Sequence, residues 1–142
     1  MNWEECLEEK VHERSPNPEE AESLLKMAGI RLEDNNRRER NEENISLIVE
    51  SYWEVIKQLV TALVNLKGYK SYSQECLISF LEEFHDFSQS ELELMDQLRR
   101  LRNDIDYRGE FLDQDYLDRN EETIEEIIDR LEEKVEKELD KS

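Results

Sequence analysis

Four arginines crowd into ten residues of this chain, Arg99, Arg100, Arg102 and Arg108, with Asn103 and Tyr107 among them. Guanidinium groups at this density suit a phosphate or carboxylate ligand, because each offers a planar fork of donors. Arg102 is the most telling of them. Leu98 precedes it by four positions and Ile105 follows by three, so it falls on the apolar face of a helix, where its charge must meet a carboxylate, a phosphate or a protomer boundary. Asp106, four residues on, could satisfy it within the helix, and Arg99 and Arg100 could pair with Asp96 and Asp104. The same residues therefore admit a ligand site and a purely structural arrangement.

The element that must position them runs from Ser88 to Gly109. Ser88 with Glu91 forms a capping box, Gly109 supplies a left-handed stop, and Leu94, Met95, Leu98, Leu101 and Ile105 recur at helical spacing. Ahead of it, residues 44 to 67 predict the central helix, with Ile45, Ile48, Tyr52, Val55, Ile56, Leu59, Leu63 and Leu66 on a wide stripe before Gly68. Tyr52 and Trp53 are expected to pack as core or interface anchors. Asn17, Pro18 and Glu20 signal the start of an earlier helix, and 34 to 43 reads as a polar connection. Trp3, Leu7 and Val11 predict a short amphipathic helix over 2 to 14. Ser71 with Gln74 predicts the cap of a helix reaching Phe84, which His85 ends as a complement to its negative pole. Asp118 with Glu121 predicts the start of a last helix, whose outside is covered by pairs such as Glu126 with Arg130 and Glu133 with Lys137.

Composition bounds the rest. The 142 residues suit one domain with a real core, and three glycines, two prolines and helical rather than alternating apolar spacing argue for an all-α chain without strands. A net charge of −19 repels nucleic acid and anionic membrane in general, so any anion site must be local. No membrane-length apolar run and no signal-peptide pattern occurs, which predicts a cytoplasmic protein. In that setting Cys6 and Cys76, without a metal-ligand spacing, read as free thiols. His12 and His85 are scattered, and no metal or cofactor is expected.

The run SYWEVIKQLVTALVNLKGYKSYSQECLISFLEE followed by LRRLRNDIDYRG and a long last helix resembles the HEPN domain family over roughly residues 18 to 139. The resemblance implies an antiparallel up-and-down bundle of four to five helices, one domain over 1 to 142, that dimerises. It also implies a motif of Arg, a polar neighbour and a His four to six residues beyond the Arg, facing its copy across the dimer cleft. Members include metal-independent endoribonucleases, nucleotide binders, and partners of a small nucleotidyltransferase in toxin and antitoxin pairs. Arg102 and Asn103 match the first two motif positions, and Tyr107 stands where the nearest His would be. The implied catalytic set is thus Arg102, Asn103 and Tyr107, and the implied phosphate-binding set is Arg99, Arg102 and Arg108. A phenol of reference pKa about 10 is a poor general base at neutral pH, so the substitution favours binding of RNA phosphate or a nucleotide over cleavage. A dimeric scaffold without catalysis is the remaining alternative.

Overall fold

Six helices and one short antiparallel ribbon make up the computed structural model, which describes residues 1 to 142. In chain order these are α1 (Trp3–Glu9), β1 (Val11–Glu13), α2 (Pro18–Arg37), α3 (Ile45–Lys67), β2 (Tyr69–Ser71), α4 (Gln74–Phe84), α5 (Gln89–Arg108) and α6 (Gln114–Lys141). The chain is mostly helical, as its apolar spacing predicts, and no helix is long and apolar enough to cross a membrane.

The α3 helix lies at the centre. It packs against α2, α4, α5 and α6, and buries side chains on several of its sides, among them Val49, Tyr52, Trp53, Ile56, Leu59 and Leu63. A helix apolar around most of its circumference has to be surrounded. Gly68 ends it at φ 95°, a conformation that strains any residue with a Cβ. Trp53 reaches across to α4, where its indole Nε1 donates to Gln74 Oε1 at 3.1 Å. The outer helices contribute one face each to a single apolar cluster, α6 through Ile124, Ile127, Ile128, Leu131 and Val135.

Several local expectations are corrected. The helix expected over 2 to 14 stops at Glu9, and Val11–Glu13 pairs instead with Tyr69–Ser71, Val11 opposite Ser71 and Glu13 opposite Tyr69. A strand partner almost sixty residues away is invisible to local periodicity, and it wins because the pairing satisfies the backbone on both sides. Cys6 and Cys76 are not free thiols: a disulfide joins them, tying α1 to α4 with Cα atoms 5.8 Å apart. The cap of α4 is Ser73, which accepts from the Cys76 N–H, while Ser71 Oγ turns onto the backbone of Ser73. The α2 helix runs on to Arg37, into the segment expected to be a connection. Asp113 rather than Asp118 caps α6, which brings Tyr116 and Leu117 into the core. At the end of α4, burial pushes the His85 imidazole below the ordinary range and Lys134 acts in the same direction, both against the charged form expected to complement the helix. Arg130 pairs with Glu91 of α5, not Glu126, and its guanidinium covers the Phe87 ring at 4.5 Å.

Candidate functional site

The α5 helix is built as its residue types predict. Ser88 accepts from the Glu91 N–H, Glu91 reaches back to the Ser88 N–H, and Gly109 adopts φ 64°. Leu92, Met95 and Leu98 are buried against the core, so the face they share is turned toward α3. One turn further along that face is Arg102, and α3 presents carboxylates to it.

Arg102 Nε lies 3.2 Å from Glu54 Oε1, and its Nη1 lies 3.1 Å from Asp106 Oδ2. The side chain is 23% exposed and that of Glu54 16%. The Nε contact is a charge contact only; the N–H is not aimed at the carboxylate, and it is buried without a hydrogen-bond partner. Glu54 also receives the Lys57 ammonium at 2.7 Å. Glu50, one turn before Glu54, completes the group. A hydrogen bond shared with the Asp106 carboxylate, then burial, then the Asp106 charge push Glu50 up to about 7, and Arg102 only partly opposes them. In the form that carries a proton on Glu50, the two cations Lys57 and Arg102 balance the two anions Glu54 and Asp106.

The remaining residues of the expected sets do not converge on Arg102. Tyr107 is 81% exposed, and five helical residues rotate it about 140° away from Arg102 around the axis. Asn103 is half-buried beside Arg102. Arg99 Nε donates to Asp96 Oδ1 at 2.9 Å, Arg100 sits 3.3 Å from the same carboxylate, and exposed Arg108 has Asp104 at 3.9 Å. Each arginine of the cluster thus has an acid of its own helix beside it.

Glu50 and Glu54 were missed by reading α5 alone. Their signal was present in α3: three of its four charged residues, Glu50, Glu54 and Lys57, fall at spacings of four and three, on one side of an otherwise apolar helix. A second polar group occupies another side of α3. Tyr52 Oη donates to Glu121 Oε2 at 2.6 Å, and Arg40 Nη2 donates to the same oxygen at 2.8 Å. Burial, followed by the Glu121 hydrogen bond, pushes the Tyr52 phenol far up, so it keeps its proton for Glu121 while its oxygen accepts from Arg40 Nη2 at 3.4 Å.

No set of three His, Cys, Asp or Glu side chains is arranged to hold a metal ion. No protein-family model matches the chain, and neither a curated protein nor a solved structure matches it.

Proposed function

We propose that this protein is a HEPN-like helical module, an antiparallel up-and-down bundle of one domain, that works by binding and not by catalysis. It acts as a homodimer or as the partner of a nucleotidyltransferase in a toxin and antitoxin pair. The observation that carries this reading is the engagement of Arg102 by Glu54 and Asp106 while Tyr107 points into solvent. A general acid or base must reach the reacting atoms together with the group that holds the phosphate, and these two side chains diverge. Tyr107 and Phe111, 81% and 78% exposed, instead flank the Gly109 turn as aromatic anchors suited to a protein surface.

A second reading rests on the unpartnered Arg102 Nε. An RNA phosphate or a nucleotide could take that donor if it displaced Glu54, the carboxylate beside Nε. Such a ligand must compete with two carboxylates that are already present, which makes it weak at physiological salt.

The test combines mass and activity. Light scattering across a salt series should give a dimer whose association strengthens with salt, since two copies of −19 repel. Wild type, Arg102→Ala and Tyr107→His are compared for RNA and nucleotide binding and for RNA cleavage. Cleavage by wild type that is lost in Arg102→Ala would overturn the non-catalytic reading. A monomer at every salt level that binds no nucleotidyltransferase would overturn the interaction module. A cytoplasmic setting belongs to the proposal and is checked by alkylation trapping of Cys6 and Cys76 in intact cells, where reducing cytoplasm opens most disulfides.

A further inference from the structure

Beyond Arg102 and α5, the structure contains a cavity of about 430 Å³ between the β-ribbon, α2, α3 and the start of α4. Its size falls in the range of small-molecule sites, about 300 to 1,000 Å³. Its sign of charge is the opposite of the protein's. Arg14, Lys57 and Lys70 line it against the single acid Glu20, on a chain whose net charge is −19. Arg14 is neutralised by Glu20 at 2.7 Å and Lys57 by Glu54 at 2.7 Å. The Lys70 ammonium instead lies over the Tyr72 ring, 5.3 Å from its centroid. Ser73 and Gln74, the N-terminal end of α4, open onto the same space and add the positive pole of that helix.

Two wall residues carry polar atoms with no partner. Asn65 is 3% exposed, and its Oδ1 accepts from the Asn17 N–H at 2.8 Å, which fixes the amide so that Nδ2 is left as an unused donor. On the same wall, Gln58 Oε1 is an unused acceptor. Buried amide groups without partners are uncommon, and each one costs stability unless something else satisfies it. Tyr72 adds aromatic surface beside Lys70, whereas the Tyr69 ring is turned to Trp3 and Phe84.

We propose that this cavity binds a small organic anion: a flat apolar body bearing one phosphate or carboxylate. The anionic group meets Lys70 and Arg14 at the mouth, the body lies against Tyr72, Leu24 and Leu77, and the Asn65 and Gln58 amides match polar edges of the ligand. The site depends on no residue of α5, so it stands or falls independently of the reading above.

The test is a titration of the full ¹⁵N-labelled chain at low salt with phenyl phosphate, benzoate and neutral benzyl alcohol. Binding of either anion should move the backbone amides of residues 69 to 74 and the side-chain amides of Asn65 and Gln58, and the tighter of the two identifies the head group. Benzyl alcohol should bind at least about tenfold more weakly, the difference one charge-assisted hydrogen bond makes. Lys70→Gln, at an exposed ribbon position, and the double variant Arg14→Gln with Lys70→Gln should each weaken the anion, while Arg108→Gln, on the exposed side of α5, should leave it unchanged. The proposal is overturned if neither anion moves these signals at millimolar concentration, if benzyl alcohol moves them equally, or if Lys70→Gln binds like wild type.

Discussion

Arg102 of α5 and Glu54 of α3 face one another at 3.2 Å across the helix interface, with 23% and 16% of their side chains exposed. The pair stands at the edge of the core, and its loss leaves charge behind. Arg102→Ala removes the guanidinium beside Glu54, Asp106 and Glu50 and leaves Glu54 with Lys57 alone, so we expect a loss of about 2 kcal/mol, below the roughly 3 to 5 kcal/mol of a sealed pair because water still reaches the group. Urea denaturation of the single variants and of Arg102→Ala with Glu54→Gln closes a double-mutant cycle. Zero coupling between the two positions would remove Arg102 from its role as a tie.

The proton on Glu50 makes stability depend on pH in a stated direction. The folded carboxyl titrates at about 7, above its ordinary 4.5, so the folded chain binds more protons than the unfolded one between those values. The contribution is complete below the unfolded pKa and is lost as pH rises through about 7. After discounting for solvent screening, the loss is about 1 kcal/mol. Glu50→Gln keeps the shape without the titration, and at pH 8 it should be more stable than wild type. Urea midpoints from pH 5 to 8 that run parallel for the two proteins would refute the shared proton.

The Cys6–Cys76 bridge closes a loop across 70 positions of sequence between two fully buried sulfurs. Loop entropy of that length corresponds to about 4 kcal/mol of constraint on the unfolded chain. Cys6→Ser with Cys76→Ser should therefore lower the melting temperature strongly, and the ribbon and α1 should lose hydrogen-exchange protection first. Equal melting temperatures with and without reductant, with complete reduction verified by mass, would contradict this.

Tyr52 is fully buried, and its hydroxyl donates to Glu121 at 2.6 Å and to Glu125 at 3.3 Å. Tyr52→Phe keeps the ring and removes that donor together with the oxygen that accepts from Arg40 Nη2 at 3.4 Å, for an expected loss of about 1.5 to 2 kcal/mol, as for a hydrogen bond to a charged group. Arg40 still holds Glu121 in the variant. Chemical denaturation measures the difference, and a change below about 0.5 kcal/mol would make the bond energetically idle.

Local chemistry by itself determined the helices whose instructions are contained within their own few turns. Ser88, Glu91 and Gly109 bound α5 where their spacing places them, and Gly68 ends α3, because caps and left-handed stops act between residues three or four apart. The stripe on α3 likewise determined that this helix is central and that Tyr52 and Trp53 are buried. Tertiary structure alone decided what those helices meet. Arg102 could be placed on an apolar face from spacing, yet Glu54 and Glu50 become its neighbours only when α3 crosses α5. The choice of Ser73 over Ser71 as a cap, the ribbon at Val11–Glu13 and the Cys6–Cys76 bridge all follow from bringing the first residues of the chain against residues 69 to 76. Such pairings satisfy backbone groups and close loops across large separations, where the energy depends on the meeting and not on either segment's own pattern.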